Sequence, residues 1–179
     1  MTLDVFANRR SRKWSLYELL GRTIWETVGC RFFAWSPRPL WGWRRFVLRS
    51  FGASVGDDAH IYPSVKIAIP WNLVIGDQAA IGDGAILYCL GPITIGPRAT
   101  ISQYSHLCAG SHNYRAATFD LMKPSIVIGA EVWICADAFV GPGVRVGDGA
   151  ILGARSVVMR DVEPNIIVAG NPARRVGAR

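Results

Sequence analysis

From Val55 onward the chain beats in sixes. Val55, Ile61 and Ile67 are followed by Ile75, Ile81 and Leu87, by Ile95, Ile101 and Leu107, and then by Ile128, Ile134, Val140, Val146, Leu152 and Val158. All fifteen positions are Ile, Leu or Val, and eight are followed directly by Gly, as in Ile75-Gly76, Ile95-Gly96 and Leu152-Gly153. The fourth residue after the aliphatic one is mostly small: Ala59, Ala79, Ala85, Ala99, Ser105, Ala138, Ala150, Ser156. A period of six fits neither an amphipathic helix nor a half-buried strand, whose periods are 3.6 and 2. It fits a solenoid in which every sixth side chain points to the axis, Gly permits a sharp bend beside it, and a small residue fits the crowded corner. Three hexapeptides make one triangular coil. The expected fold class is therefore all-β, a left-handed parallel β-helix of about five coils, an exception to the usual right-handed crossover.

The steps that are not six carry further information. They fall at Ile67 to Ile75, Leu87 to Ile95 and Leu107 to Ile128, each after the third hexapeptide of a coil, so all three should stack at one corner of the prism. The third expels a loop over residues 112–125. Solenoids accept insertions at corners and tend to carry function there, which directs attention to the run Gly110-Ser111-His112-Asn113-Tyr114.

The remaining chain divides by charge. The formal charge is +7, from 20 basic and 13 acidic residues, and residues 1–50 hold 10 basic against 3 acidic, so residues 51–179 are neutral. A nucleic-acid binder spreads basic residues over its folded surface, and this chain does not. The expected organisation is a basic amphipathic helical segment over 1–50, a β-helix over 51–166 and a tail over 167–179. Trp14, Tyr17, Leu20, Ile24, Val28, Phe32 and Trp35 follow at steps of 3, 3, 4, 4, 4 and 3, one helical stripe. Two roles compete for it: covering the open lower end of the prism, or holding the protein at an anionic membrane surface. Glu18, Arg22, Glu26 and Arg31 interrupt the apolar run, which argues against a secretory signal or a spanning helix. The expected location is cytoplasmic, with peripheral contact to the inner membrane face as the sharper alternative.

Cys30, Cys89, Cys108 and Cys135 lack CxxC or zinc-type spacing and read as reduced thiols. Of the three histidines, His60 sits at a regular corner, His106 lies one hexapeptide before the loop, and His112 sits where the coil breaks. An imidazole is the usual group for removing a proton from a hydroxyl or amine nucleophile. His112 is the candidate general base.

The chain resembles a known family at several points. They are the hexapeptides, the Gly110-Ser111-His112 segment with its loop, the re-entry Ile126-Val127-Ile128-Gly129 followed by Val132-Trp133-Ile134, the Pro142-Gly143-Val144 coil and the ending Ala169-Gly170-Asn171-Pro172-Ala173. Together these resemble the hexapeptide O-acetyltransferases. Arg44-Arg45-Phe46, Leu48-Arg49-Ser50-Phe51-Gly52-Ala53, Ile61-Tyr62-Pro63-Ser64, Pro70-Trp71-Asn72-Leu73 and Ile101-Ser102-Gln103 resemble the colanic-acid-type members found in exopolysaccharide gene sets. The resemblance implies acetyl transfer from acetyl-CoA to a sugar hydroxyl, without a metal or a cysteine nucleophile. It also implies a homotrimer with each active site between neighbouring prisms. His112 matches the family's base, and Ala136 matches the N–H that faces the developing oxyanion. Trp133, Gly153 and Ala154 match groove-lining positions for the cofactor, and Arg160 and Arg174 match basic residues near its nucleotide end. Asn113, Tyr114 and Tyr88 are expected on the acceptor side. Asn113 stands where relatives often carry Asp, and Gly84 falls where galactoside acetyltransferases hold an acceptor-binding Asn.

Other functions are weighed against this one. Acetylation of an amino-sugar nucleotide or of serine fits the same fold. A zinc carbonic-anhydrase type needs three histidines per metal, two of them five residues apart, whereas His106 and His112 are six apart. A non-catalytic solenoid would have no use for a loop opening at His112.

Overall fold

The computed structural model describes residues 3–179, so the first two residues of the segment expected over 1–50 lie outside the described residues. Three parallel sheets form the faces of a triangular prism. Sheet A stacks Ser54–Val55, Leu73–Ile75, Ile93–Ile95, Ile126–Ile128 and Arg145–Val146. Sheet B stacks His60–Ile61, Ala80–Ile81, Thr100–Ile101, Trp133–Ile134, Ile151–Leu152 and Ile166–Ala169. Sheet C stacks Lys66–Ile67, Ile86–Tyr88, His106–Cys108, Phe139–Val140 and Val157–Val158. The chain visits A, B and C in turn, as the six-residue beat of a left-handed parallel β-helix requires. All fifteen aliphatic positions are buried, and all eight small residues at the corners are fully buried.

Five coils are complete and a sixth begins, at Val162 bridging Val146 and Ile166–Ala169 pairing with Ile151–Leu152. The step from Val158 to Val162 is only four residues, which hides this coil from a six-residue reading. The boundary expected at residue 166 accordingly falls at the start of a strand. Residues 174–178 turn back antiparallel onto Ile166–Ala169 and cover the upper edge, so the C-terminus is part of the prism and not a tail.

The glycines after the aliphatic positions serve a different purpose from the expected one. The left-handed backbone conformation that bends each corner lies two residues further on, at Asp58, Gln78, Arg98, Glu131 and Arg155 and at Gly84, Gly143 and Gly149. Gly76, Gly96 and Gly147 are instead required by the next coil. A Cβ on Gly76 would lie 2.5 Å from Pro97 N, one on Gly96 2.5 Å from the Gly129 carbonyl carbon, and one on Gly147 2.5 Å from Pro164 N. Coils stacked at roughly 4.8 Å leave no room for a methyl group there. Gly96→Ala should therefore cost about 2 kcal/mol, the usual scale of overpacking, measurable as a lower denaturation midpoint at unchanged slope.

Strand N–H groups point toward the following coil: Gly56 N–H donates to Ile75 O, His60 N–H to Ala79 O and Tyr62 N–H to Ile81 O. The first coil therefore turns unpaired carbonyls downward, and whatever closes this end must bring donors. Helix α1 (Val5–Arg10), α2 (Leu16–Ile24), a π-helical turn (Trp25–Gly29), α3 (Cys30–Ala34) and α4 (Trp41–Ser50) make up the N-terminal segment. It supplies those donors. Arg49 Nε reaches Val55 O at 2.8 Å, Arg45 Nη1 reaches Ala59 O at 3.1 Å, Arg44 Nε reaches Ile61 O, and Trp25 Nε1 reaches Ile67 O at 2.8 Å. Arginine suits the task because it carries several donors and no acceptor. Part of the basic excess is thus a consequence of capping a carbonyl-lined end.

The stripe predicted over 14–35 is not the face that meets the prism. The inward row is Gly21, Trp25, Gly29 and Phe33, one residue over. Trp25 and Phe33 are each 2% exposed, and a Cβ on Gly29 would lie 2.7 Å from the Phe51 ring. A row at steps of four drifts around an α-helix of 3.6 residues per turn, and the wider π turn takes that drift back. Leu20, Ile24, Val28 and Phe32 form the parallel outward row, with Tyr17 at 89% and Trp35 at 90% exposed. Glycine and an aromatic residue alternating at that spacing permit close approach while the Trp25 and Phe33 rings fill the end. The richer apolar stripe is left facing outward. No helix among the described residues is long and apolar enough to cross a membrane.

Candidate active site

The three irregular steps stack at the corner between sheets C and A. Asn72 Nδ2 donates to Cys89 O at 3.2 Å and Leu90 O at 2.9 Å, and Gly91 N–H donates to Ala109 O at 2.8 Å, tying each insertion to the next. Above them the chain leaves the prism as a small antiparallel hairpin, Ser111–His112 paired with Leu121–Met122. His112 is the last strand residue before the hairpin loop.

Phe119 holds this histidine in two ways. Its carbonyl accepts a hydrogen bond from His112 Nδ1 at 2.9 Å, and its ring stacks on the imidazole with centroids 4.4 Å apart and planes 9° from parallel. A carbonyl can only accept, so Nδ1 carries the proton and the neutral ring leaves the Nε2 lone pair open. This is the tautomer a general base needs. Sequence reasoning placed Phe119 in the loop without a role. The available signal was an aromatic residue within a polar connection.

The residues expected on the acceptor side gather at the same hairpin. A Cβ on Gly110 would lie 3.1 Å from the Tyr88 ring, which places Tyr88 against the hairpin's root. Tyr114 is exposed on the loop. Asn113 is engaged locally: its Oδ1 accepts from Arg115 N–H at 3.2 Å and its N–H donates to Asp120 O at 2.8 Å.

The remaining candidates lie elsewhere in the chain. Trp133 stands half-exposed on sheet B with Nε1 donating to Ser102 Oγ at 3.0 Å. Ala136 and Ala154 occupy successive rungs of the corner between sheets B and C, with Gly153 beside them. Among the described residues the N–H of Ala136 and that of Ala154 have no acceptor. Arg160 and Arg174 line one cavity of about 600 Å³ at the upper end, with Val158, Val162 and Pro172. Sheet C, one side of the prism, lies between the corner of Ala136 and Ala154 and the corner of His112. One chain therefore presents His112 at one corner and, among the described residues, the free N–H groups of Ala136 and Ala154 at another.

The other titratable groups are poor candidates for the chemistry. His106 faces outward from sheet C, edge-on to Tyr88 and Phe139, and burial pushes its pKa below the ordinary histidine value. His60 stacks on Trp41 at 4.7 Å. Burial pushes the thiols of Cys89 and Cys135 up, away from the thiolate that a nucleophile requires.

Comparison with known proteins gives consistent results. Residues 125–160 match the bacterial transferase hexapeptide family (six repeats). Over 150 residues, 84% of this chain and 82% of the relative, the sequence is 49% identical to "Putative colanic acid biosynthesis acetyltransferase WcaF" of Escherichia coli strain K12. A galactoside acetyltransferase solved in complex with coenzyme A superposes with a TM-score of 0.84 at 25% identity, covering 93% of this chain and 84% of its own. A hexapeptide-repeat acetyltransferase of Vibrio cholerae complexed with acetyl coenzyme A also superposes with a TM-score of 0.84 at 25% identity, covering 93% and 91%.

Proposed function

Because the chain belongs to the hexapeptide-repeat acetyltransferases, we propose that it moves an acetyl group from acetyl-CoA to a sugar hydroxyl in exopolysaccharide or other cell-surface glycan assembly. The observation that carries this reading is the His112 ring, fixed by Phe119 with Nε2 open at the mouth of an expelled loop. Nε2 takes the hydroxyl proton as the oxygen forms its bond to the thioester carbon. The carbon–sulfur bond then breaks, and the imidazolium returns the proton to the departing thiolate. The Ala136 N–H is suited to donate to the carbonyl oxygen as negative charge develops there. Trp133, Gly153 and Ala154 would line the pantetheine channel, and Arg160 and Arg174 would meet the phosphates.

The separation of His112 from Ala136 within one chain supports a homotrimer in which the base of one prism faces the free N–H groups of its neighbour. Tyr88, Asn113 and Tyr114 would then lie on the acceptor side. The reading is tested by incubating the protein with acetyl-CoA and a panel of soluble, nucleotide-linked and lipid-linked glycans. The expected result is an enzyme-dependent mass gain of one acetyl group on a glycan. Transfer to amino-sugar nitrogen or to serine alone would replace the sugar-hydroxyl reading.

The outward stripe supports peripheral attachment to an anionic membrane surface, where lipid-linked glycans would be presented. The stripe is apolar, Arg9, Arg12 and Arg31 are exposed in the same segment, and the neutral prism offers no opposite charge to it in a second copy. Basic residues near anionic headgroups contribute about 1 kcal/mol each. The protein should float with phosphatidylglycerol vesicles at low salt, and a Leu20→Glu, Phe32→Glu variant should stay behind. If the wild-type protein does not float while the same variant falls apart from trimer to monomer, the stripe is a subunit contact and the membrane reading is wrong.

A further inference from the structure

The N-terminal segment does more than close the lower end of the prism. Its first described residues lie against the loop that carries the base. Asp4 N–H donates to Ala117 O at 2.8 Å, and Lys123 Nζ reaches back to Lys13 O at 3.1 Å while sitting 3.4 Å from the centre of the Trp14 ring. Between these two ties lies Asn8, at the middle of α1. Its carboxamide donates one hydrogen to Thr118 O and the other to Phe119 O, the latter at 2.9 Å, while its Oδ1 accepts from Lys13 Nζ at 2.7 Å. Phe119 O is the same atom that accepts from His112 Nδ1.

That carbonyl needs an external hold. Phe119 sits at a φ of 48°, in the left-handed region that a bulky residue seldom adopts. The solenoid ladder does not reach it, because the hairpin has left the prism by this point. A residue in such a conformation persists only when its surroundings over-determine it. A carbonyl oxygen has two lone pairs, so it can accept from Asn8 and His112 together.

We propose that Asn8 is a positioning residue for the acetyl-transfer reaction: by anchoring Phe119 O it holds His112 in the Nδ1–H form with Nε2 facing the acceptor. This rests on the reading of His112 as the base. Asn8 touches neither substrate, so its effect should fall on turnover and not on binding. The basic segment that caps the prism thereby also sets the orientation of the base, across more than a hundred residues of sequence.

The test uses full-length Asn8→Ala and Asn8→Asp; the second is nearly isosteric and still accepts from Lys13 but has no hydrogen to donate. Both should lower kcat about tenfold with KM for acetyl-CoA within about twofold, since a misplaced base costs rate without costing affinity. The decisive readout is the ring itself. The chain has three histidines, so ¹⁵N-histidine labelling gives three imidazoles, and His112→Ala identifies the third. At about pH 8.5, where an unperturbed ring is neutral, wild-type His112 should be in the Nδ1–H form and both Asn8 variants should gain the Nε2–H form. An unchanged tautomer, an unchanged kcat, or a change confined to KM overturns the proposal. Because the tautomer is read without turnover, the outcome is separable from the base assignment, which fails only if His112→Ala itself keeps near-normal activity.

Discussion

His112→Ala should lower acetyl transfer at least about a hundredfold, with the oligomer and acetyl-CoA binding retained. The expectation follows from geometry. The ring is clamped on one face by Phe119 and on Nδ1 by the Phe119 carbonyl, which leaves a single nitrogen free. Removing it deletes the imidazole that would accept a proton from a hydroxyl and return it to a thiolate. The hairpin should survive, since its strands pair through the backbone. Steady-state kinetics with acetyl-CoA and the acceptor found in the glycan screen, beside calorimetric binding of CoA, distinguish lost chemistry from lost binding. Near-normal turnover in the variant would require a different base.

Arg44→Ala should be the most damaging single change to stability among the N-terminal residues. Arg44 is fully buried, and its guanidinium donates to Ile61 O, to Ser36 Oγ at 2.8 Å, to Pro37 O at 2.9 Å and to Arg38 O. It lies 4.6 Å from the centre of the Trp41 ring. One side chain thus joins α4, the connection before it and the first coil of the prism. Truncation leaves two buried acceptors, Ile61 O and Ser36 Oγ, and two part-buried carbonyls without their donor. Each such acceptor costs about 1–3 kcal/mol in isolation, and local relaxation recovers part of the sum. A net loss of about 3–4 kcal/mol is expected, which for a chain of this size is a fall in Tm of about 10 °C. Arg44→Lys should recover little, because one ammonium cannot span acceptors arranged around a planar fork. A variant within about 1 °C of wild type in a thermal melt would show that water or a neighbouring donor replaces the guanidinium.

The prism was legible because its signal is redundant. Each of the fifteen aliphatic positions repeats the same demand, and a stack of coils satisfies all of them at once. That the chain leaves the prism at His112 was legible because the repeat breaks there. The sixth coil was not, since a single four-residue step between Val158 and Val162 removes the beat that would announce it. The purpose of the glycines was also hidden. A sequence shows that Gly follows Ile, but whether it serves a bend or a close approach depends on what lies one coil above.

The N-terminal segment shows where sequence ended and tertiary structure began. Sequence alone pointed to a basic, apolar, amphipathic segment ahead of a neutral six-residue solenoid. Only the folded arrangement decided which row of the helix turns inward, because the flat end of the first coil admits Gly21, Trp25, Gly29 and Phe33 and not the richer stripe beside them. It also decided what much of the basic excess is for. A parallel β-helix turns its first row of carbonyls outward at one end, and Arg44, Arg45 and Arg49 are the donors that meet them. Charge can be counted along a chain, but the direction in which an unpaired carbonyl points exists only once the coils are stacked.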